Sequence, residues 1–505
     1  MTLFPATGTP QRQTGVGIDF WTVLARIGQM VGGDRVSLPV EETTHVPITP
    51  LGPNTGRYRS RAVRAVVRPR TADDVRGIVE LFADSGIAAS LHAYGTGANW
   101  GLGSREPARD GAVVLDLSGL DRIRDIDVAQ GWAVLEPGVT QARLATLLEG
   151  TERMVNLTAS SAHTSVVGNA LDRGVGLRHQ RVEDLMGLEV VLPDGESVRV
   201  GWWPEPDRPT PVYAHGLGPS LVQLFVQSDL GVVTAATVRL LPRPEALRVV
   251  RLNFTPDRTE AATAAVRRWV AQGLTSGVVK IYNEAAARAY GSPPGRCLVH
   301  VCVDGTPEAV QALTGVVTAE ATRSGLFTEV SDSDATDPDT PHHDIAVQVE
   351  RAYAGDPDPT DTLFETKTGH SAGTLDKEGG ILLFLPLVPF TGPALARVGE
   401  LLEQVLAETG IRCGATLNAL NADVVDCVVT MRFAREDEHA TANAHRALNR
   451  LYTLFTAEGF IPYRLDVEHT GWAGRLTAGT GERALAQRLK DLLDPQQVIA
   501  PGRYA

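Results

Sequence analysis

Apolar residues recur along the chain at two different spacings, which predicts both helices and strands. The segment "RTADDVRGIVELFADSG" (70–86) carries apolar residues at helical spacing. Thr71 is placed to cap its first turn together with Asp74, three residues further on, and Gly86 to end its last turn. The pattern predicts one amphipathic helix in this segment.

Short apolar runs on both sides of this helix predict strands, among them "IAASLHAYG" (87–95). The segment "LEVVLPDGESVRV" (188–200) predicts a β-hairpin that turns at Asp194-Gly195. Strand and helix patterns continue from 246 to about 460, and "ERALAQRLKDLLD" (482–494) predicts a final helix with leucines at helical spacing. The chain is therefore predicted to be a mixed α and β protein, and its 505 residues favour two or more domains.

Composition narrows the class of protein. A formal net charge of −13 argues against nucleic acid or an anionic membrane as the main partner. The four cysteines fit neither a disulfide framework nor a metal site, and we expect them to be small buried residues in a reducing compartment. The first residues lack the pattern of a signal peptide, and no run of 18 apolar residues occurs, so we expect a cytoplasmic protein.

Glycines are concentrated in "LHAYGTGANWGLGS" (91–104), directly after a predicted strand. Glycine allows the backbone to approach a phosphate closely. The spacing differs from the dinucleotide fingerprint, and the loop lacks the lysine of a Walker motif. Two more glycine loops follow, "LEPGV" (135–139) and "VVGNALDRGVG" (166–176). Three loops that converge on one ligand would suit FAD, whose phosphates backbone N–H groups can bind.

The order of these motifs, followed by "GVVTAATVRLLPRP" and the terminal "LLDPQQVIAPGRY", resembles the vanillyl-alcohol oxidase/p-cresol methylhydroxylase (PCMH) family of flavoproteins. The resemblance covers about residues 60–505. It implies an α+β fold, in which a PCMH-type FAD-binding domain of two subdomains carries an inserted α/β cap domain for the substrate. The implied segments are an N-terminal extension (1–59), the FAD-binding domain (60–245), the cap domain (246–460) and a C-terminal segment that returns to the FAD domain (461–505).

The resemblance also implies which residues bind FAD. Gly95 to Trp100 would wrap the pyrophosphate, Glu183 would lie near the adenosine end, and Val232 would offer its backbone near the flavin. The residues carried over from the family are Tyr94, Gly95, Thr96, Gly97, Ala98, Asn99, Trp100, Pro137, Gly138, Ser161, Gly168, Asn169, Asp172, Glu183, Gly231, Val232 and Arg503.

Many members of the family hold FAD covalently through a histidine or a tyrosine. Here Ala98 or Asn99 stands at the position of the linking residue in the glycine loop, and Ile381 stands near that of the linking residue in the cap domain. His163 is a remote alternative, better explained as a hydrogen-bonded loop residue. We therefore expect non-covalent FAD and no metal.

Three residues match positions at which the family acts on its substrate. The pair Tyr463-Arg464 matches a pair that holds a phenol as its phenolate, since a hydroxyl and a guanidinium aimed at one oxygen stabilise its anion. Asp172 matches a position beside the flavin ring, where burial would raise its pKa and suit it to proton transfer. The expected activity is FAD-dependent removal of a hydride from a para-substituted phenol, a benzylic-type alcohol or a related small molecule.

The cap segment "LNALNADVVDCVVTMRF" (417–433) departs from the family, whose members contribute histidines there. This chain has in their place Asn418, Asn421, Asp423, Asp426 and Cys427. A changed pocket implies a changed substrate. One alternative is therefore an FAD enzyme of secondary metabolism that oxidises a non-phenolic alcohol, amine or hydroxy acid, or promotes a cyclisation. Another is a flavin electron-transfer subunit with a cytochrome partner. The electron acceptor would be O2 or a redox protein, and a homodimer is a further option.

Overall fold

Helices and strands alternate through most of the chain in the computed structural model, which describes residues 19–39, 51–96, 101–205, 211–334 and 343–504. The strands of these residues are β1 (Val36–Ser37), β2 (Val63–Val67), β3 (Leu91–Tyr94), β4 (Ala112–Asp116), β5 (Ile123–Asp127), β6 (Trp132–Leu135), β7 (Arg153–Met154), β8 (Leu185–Val191), β9 (Ser197–Gly201), β10 (Val232–Arg239), β11 (Leu241–Pro242), β12 (Ala246–Phe254), β13 (Val279–Tyr282), β14 (Cys297–Gly305), β15 (Glu329–Asp332), β16 (Ile381–Pro389), β17 (Cys413–Ala419), β18 (Val424–Arg432) and β19 (Pro462–Arg464).

The α-helices of the same residues are α1 (Phe20–Val31), α2 (Ala72–Ser85), α3 (Gln141–Leu147), α4 (Val166–Leu171), α5 (Thr259–Ala271), α6 (Glu284–Ala287), α7 (Pro307–Ser324), α8 (His343–Tyr353), α9 (Asp358–Thr368), α10 (Leu375–Glu378), α11 (Gly392–Thr409), α12 (Glu438–Ala457), α13 (Trp472–Leu476) and α14 (Glu482–Leu493). Within the described part of the chain, no helix is long and apolar enough to cross a membrane.

Two sheets carry the glycine loops. The first has the order β1-β2-β4-β3, with β4 parallel to both β2 and β3. The second has the order β5-β6-β10-β8-β9 and is antiparallel, and its last pair is the predicted hairpin. Gly195 in the turn of this hairpin has φ +90°, a conformation that favours glycine. These two sheets agree with a bipartite cofactor domain.

The third large sheet has eight strands in the order β15-β12-β14-β13-β17-β18-β16-β19, and its pairs are antiparallel. Alternate residues of its strands belong to one large apolar core, which also holds residues of α5, α7, α11 and α12. Side chains of period two point to opposite faces of a strand. The other face of the sheet is therefore turned away from these helices, and it bounds the cavity described below.

The helix predicted at residues 70–86 is confirmed. The Thr71 hydroxyl accepts a hydrogen bond from Asp74 N at 3.0 Å, and the Asp74 carboxylate accepts one from Thr71 N at 3.0 Å, which is a capping box. Gly86 ends the helix with φ +61°. The cysteines also lie as expected, since all four are unpaired and buried.

The last predicted helix forms, but its leucine stripe is not its buried face. Leu485 and Leu492 are 54% and 75% exposed, whereas Lys490 is buried. The Lys490 ammonium donates hydrogen bonds of 2.6 to 2.7 Å to the carbonyl oxygens of Asp229 and Ile499 and to the carboxylate of Asp494. The helix forms as its leucine spacing predicted, and the buried ammonium of Lys490 holds it to the rest of the chain.

The segment after α14 returns to the first sheet. Leu91 of β3 donates a backbone hydrogen bond of 2.7 Å to Val498 O and accepts one of 2.7 Å from Ala500 N. The Asp494 carboxylate accepts bonds from the N–H groups of Val498 and Ile499. Lys490 and Asp494 thus hold the end of the chain against the strand that leads into the glycine loop.

We predict that Lys490→Met lowers the thermal unfolding midpoint by several degrees. The change leaves the buried Asp494 carboxylate without its cation, and breaking a buried pair costs about 3–5 kcal/mol. Differential scanning fluorimetry of the FAD-loaded protein measures the effect. Lys377→Met, at an exposed lysine of α10, is the matched control and should leave the midpoint within a degree or two. Equal midpoints for both variants would contradict the role of Lys490.

Candidate active site

The three glycine loops converge, as their sequences predicted. Ser165, the N-cap of α4, donates a hydrogen bond of 2.6 Å to Pro137 O and accepts one of 2.8 Å from Gly168 N. A Cβ atom on Gly95 would lie 3.1 Å from both Pro137 O and the Ser165 hydroxyl. Glycine at 95 therefore permits the first loop to pack directly against the other two.

A cavity of about 360 Å³ lies between these loops and the free face of the eight-stranded sheet. The predicted cofactor residues in its wall are Tyr94, Gly95, Thr96, Pro137, Gly168, Asn169, Asp172, Gly231, Val232 and Arg503. The predicted catalytic residues Asp172, Tyr463 and Arg464 line the same cavity. Residues assigned to two roles from separate parts of the sequence thus face one enclosed space.

Three predicted cofactor residues lie outside the cavity wall. Gly138 is packed under it, since a Cβ there would lie 2.5 Å from Ser118 O. Ser161 is buried behind the wall, where its carbonyl accepts a hydrogen bond from Gln141. Glu183 is exposed. The predicted residues Gly97, Ala98, Asn99 and Trp100 lie outside the described residues.

Unpartnered polar atoms in the wall fit a cofactor rich in hydrogen-bonding groups. Asn169 Oδ1 and Arg503 Nη1 are buried and have no hydrogen-bond partner among the described residues. Buried polar atoms are rarely left unpaired, because each costs about 1–3 kcal/mol. One acceptor and one cationic donor in the same wall match a ligand that offers both N–H groups and anionic oxygens. The residues present therefore fit FAD.

Asp172 is the centre of a charged cluster. It is the C-cap of α4, and its carboxylate pairs with the Arg464 guanidinium and accepts a hydrogen bond of 3.1 Å from the Tyr504 hydroxyl. Burial would raise the pKa of Asp172, but Arg464 and Arg503 outweigh it and lower that pKa. The expected net rise in the pKa of Asp172 is therefore wrong, because the two guanidinium groups lower the pKa by more than burial raises it. The carboxyl is ionised and is held as an anion.

Gln227 joins the two segments that carry these residues. Its side-chain amide donates to Tyr463 O at 3.0 Å and to Asp172 O at 3.4 Å, and its backbone N–H donates to Leu171 O at 2.9 Å. Gln227 has φ +49°, which is uncommon for a residue other than glycine. The local strain indicates that its position is fixed by these contacts.

The cap side of the cavity contains a row of polar residues that the sequence did not reveal as a unit. Arg251, His300, Lys280, Asn418 and Asp426 are directly opposite one another on five neighbouring strands, β12, β14, β13, β17 and β18. Directly opposite residues point to the same face of a sheet. All five are buried. The last three of them line the cavity.

Hydrogen bonds connect the cavity end of this row. The Lys280 ammonium donates to Asn418 Oδ1 at 2.6 Å, and Asn418 Nδ2 donates to an Asp426 carboxylate oxygen at 3.2 Å. The other oxygen of Asp426 is buried without a partner among the described residues. Burial raises the pKa of Asp426 to about 6, and burial with the charge of Lys367 lowers the pKa of Lys280 to about 7. Burial, followed by the charge of Asp426, raises the pKa of the neighbouring Tyr463 hydroxyl well above its usual value.

Of the five cap residues singled out for departing from the family, the structure brings Asn418 and Asp426 to the site. Cys427 points to the opposite face, into the apolar core. Asn421 and Asp423 lie at the turn between β17 and β18, away from the cavity. Strand alternation separates 426 from 427, and it is the signal that could have made this distinction from the sequence.

Two further residues of the cavity wall were not predicted from the sequence. His92 on β3 is buried and its Nε2 lies 3.1 Å from Ser104 O. Burial, with the charge of Arg503, lowers the pKa of His92 to about 4, so this ring is neutral. Lys367 on α9 also faces the cavity. Lys367 stands in a segment without a motif, whereas His92 lies at the start of the glycine-rich segment 91–104, two residues before the predicted cofactor residue Tyr94.

Ile381 and His163, two of the positions considered for covalent attachment of FAD, differ in burial. Ile381 is buried, and its N–H donates to Thr55 O at 3.0 Å, while Leu383 and Leu385 of the same strand line the cavity. His163 is exposed and lies outside the wall. β16 contains no histidine and no tyrosine, the two residue types named above as flavin-linking. Non-covalent binding of FAD therefore remains a prediction.

Among the described residues, no group of three or more His, Cys, Asp or Glu side chains could hold a metal ion. The site offers a cofactor cradle and the ionisable residues named above. A hydroxyl, two guanidinium groups and two carboxyl groups, one of them with a pKa near neutrality, face one cavity. Such a set can bind an anionic oxygen and accept a proton.

Comparison with known proteins supports the presence of an FAD-binding domain. Residues 63–201 match the family model described as FAD binding domain. The chain is 28% identical to 1'-carboxy-chondrochloren decarboxylase of Chondromyces crocatus, over 88% of this chain and 90% of that protein. It is 25% identical to the flavoprotein subunit of 4-cresol dehydrogenase [hydroxylating] of Pseudomonas putida, over 95% and 92% of the two chains.

Solved structures show the same fold. The 4-ethylphenol oxidase of Gulosibacter chungangensis, in complex with isoeugenol, superposes with a TM-score of 0.84 at 20% identity. Substrate-bound p-cresol methylhydroxylase superposes with a TM-score of 0.82 at 22% identity. Each match covers 96% of both chains.

The cradle, the matching domain and the relatives define this chain as an FAD-dependent oxidoreductase. Its cofactor is FAD, and its fold is the predicted α+β fold. Over nearly its whole length, the chain is similar to the PCMH-type flavoproteins that its motifs resemble.

We predict that Asn169→Ala weakens FAD binding about tenfold, because one hydrogen bond worth about 1–1.5 kcal/mol is lost. The unfolding midpoint of the apoprotein should not fall, since Asn169 Oδ1 has no partner there among the described residues. FAD is released by acid, and the apoprotein is titrated with FAD while the quenching of flavin fluorescence is followed. Asn421→Ala, at the turn outside the cavity, is the control and should keep the wild-type affinity. Unchanged affinity of Asn169→Ala, or flavin that stays with the acid-precipitated protein, would contradict this account of the cradle.

Proposed function

We propose that this enzyme oxidises the benzylic carbon of a para-substituted phenol. The observation that carries the proposal is the meeting of Tyr463, Arg464 and Asp172 with the FAD cradle in one cavity. The names of two relatives, a 4-cresol dehydrogenase and a 4-ethylphenol oxidase, support this substrate class. FAD supplies the acceptor for the hydride; the residues of the chain bind and orient the phenol.

The charges around Asp172 favour the binding of an anionic substrate oxygen at that end of the cavity. Asp172 carries one negative charge, and the guanidinium groups of Arg464 and Arg503 both act on it. One positive charge is therefore left over, and Arg503 Nη1 is a buried donor without a partner in the described part of the chain. A phenolate oxygen would balance this charge. Its negative charge would also favour loss of a hydride from the para carbon substituent.

Tyr463 and Asp426 complete the substrate end. The raised pKa of Tyr463 keeps its hydroxyl protonated, so that it can donate a hydrogen bond to the substrate oxygen. Asp426 interacts with the Tyr463 hydroxyl, and its pKa of about 6 suits a group that accepts a proton near neutral pH. We assign the proton-transfer role to Asp426 in place of Asp172, whose carboxylate is held by Arg464 and Tyr504.

A second candidate reaction is oxidative decarboxylation, since the relative from Chondromyces crocatus is named a decarboxylase. Lysines in the cap wall favour a substrate with a carboxylate. In that reaction the carbon beside the ring loses a hydride, the electron pair of the bond to the carboxylate forms a C=C bond, and CO2 leaves. From 3-(4-hydroxyphenyl)propanoate this would give 4-vinylphenol, whereas loss of a hydride and a proton without CO2 would give 4-hydroxycinnamate. Chromatography of the products separates the two reactions.

We predict that 4-ethylphenol bleaches the flavin absorbance of the wild-type enzyme under anaerobic conditions. Tyr463→Phe should lower the rate of bleaching about 100-fold, the usual effect of removing one donor to a developing oxyanion. Tyr213→Phe is the control, because Tyr213 is 58% exposed and lies outside the cavity. Wild-type rates in Tyr463→Phe would exclude its role. If no 4-alkylphenol reduces the flavin, the proposed substrate class is wrong.

A further inference from the structure

Two of the four lysines of the chain, Lys280 and Lys367, line the cap side of the cavity. Lys280 belongs to the central strand β13 and Lys367 to helix α9, so the fold brings together residues 87 positions apart. The negative charge that acts on both of them is that of Asp426. Two cations therefore face one anion at this end of the cavity.

Lys280 is only partly satisfied by the protein. Its residue is 6% exposed, and its ammonium donates one hydrogen bond, to Asn418 Oδ1, in the described part of the chain. An ammonium group has three donors. Further donors of Lys280 are thus available on the side that faces the cavity.

Lys367 has neither a hydrogen bond nor an ion pair with any described residue. It is partly buried, and burial lowers its pKa, with the charge of Asp426 acting in the opposite direction. Removing an ammonium from water without a partner is costly. A second cation nearby, Lys280, adds to that cost. The protein alone does not explain why a lysine occupies this place.

From these contacts we infer that Lys280 and Lys367 form a subsite for a carboxylate group of the substrate, an inference that rests on the proposed oxidation of a phenol. One carboxylate carries the single negative charge that balances two ammonium groups and Asp426. Its two oxygens can accept hydrogen bonds from both lysines. A phosphate dianion would leave a surplus negative charge beside Asp426.

The strand order sets the distance between the two ends of the substrate. Tyr463 interacts with Asp426 on β18, and Lys280 lies two strands away on β13. Neighbouring strands are about 4.8 Å apart, so roughly 10 Å separates the backbones of Asp426 and Lys280. Their side chains are closer, because Asn418 is hydrogen-bonded to both. The substrate would therefore be a phenol whose carboxylate lies on a short para side chain, as in 3-(4-hydroxyphenyl)propanoate.

The experiment compares this acid with its amide, 3-(4-hydroxyphenyl)propanamide, which has the same shape and no charge. Dissociation constants are measured with the oxidised FAD-loaded enzyme from the perturbation of the flavin spectrum, in the first seconds or at a temperature where turnover is slow. The wild-type enzyme should bind the acid about tenfold or more tightly than the amide, since hydrogen bonds to charged groups are the strong ones.

Lys367→Met should remove most of this preference and leave the binding of the amide unchanged. Its unfolding midpoint should equal or exceed that of the wild type, because the lysine has no partner to lose within the described residues. Lys367→Arg should restore the preference for the acid. Lys377→Met, outside the cavity, is the matched control, and Lys280→Met tests the other half of the subsite.

The inference is overturned if the wild-type enzyme binds acid and amide equally or binds neither. It is also overturned if Lys367→Met and Lys280→Met both keep the wild-type preference for the acid. Failure of the proposed phenol oxidation is seen separately, as an unreduced flavin with 4-ethylphenol. A selective loss of acid binding in the lysine variants would support the subsite even in that case.

Discussion

The ion pair between Asp172 and Arg464 is the interaction on which the geometry of the cavity depends. Asp172 ends the short helix α4, which begins the third glycine segment (166–176), and Arg464 stands on β19, the edge strand of the eight-stranded sheet. The pair thus joins the cofactor cradle to the substrate wall at one point. Both side chains are largely removed from water, and an unpaired charge there would be strongly unfavourable. The pair therefore favours the contact between α4 and β19, because neither charge is stable in this place without the other.

The second constraint is the alternation of the cap strands. One face of the eight-stranded sheet is covered by helices and is largely apolar, and the buried row from Arg251 to Asp426 lies on the other face. That face meets the cofactor loops, where Gly101 approaches β16 so closely that a Cβ would lie 2.7 Å from Ile381 O. Polar residues there are enclosed and must be paired by one another or by ligands. The buried row that ends at Asp426 follows from this enclosure.

Much of the fold could be predicted from local sequence. The capping box of Thr71 and Asp74 and the hairpin turn at Asp194-Gly195 each depend on a few adjacent residues, and both form as predicted. Convergence of the glycine loops could also be predicted, because several loops of one type after strands suit one large ligand. The family resemblance supplied the identity of that ligand, which spacing alone did not.

The parts that could not be predicted depend on contacts between distant residues. The pKa of Asp172 is lowered by Arg464, which is 292 positions away in the sequence but beside it in the fold. No local sequence pattern predicts that pairing. The row from Lys280 to Asp426 depends on the register of three strands, which hydrophobic periodicity does not fix. The burial of Lys490 could not be predicted either, because lysine is rarely buried and its partners Asp229 and Ile499 belong to other segments.

The distribution of cations assigns different tasks to the two ends of the cavity. The described residues of the glycine loops contain no lysine, and backbone N–H groups are sufficient to bind phosphate oxygens there. Cationic side chains are placed instead where the small molecule would lie, with Arg464 and Arg503 beside Asp172 and with Lys280 and Lys367 beside Asp426. Burial raises the pKa of Asp426, and both Lys280 and Arg464 lower it, so its carboxylate lies between the two sets of cations. Under the proposals above, a molecule with an anionic oxygen at each end would suit both sets, whereas a neutral alcohol or an amine would offer no negative charge to either.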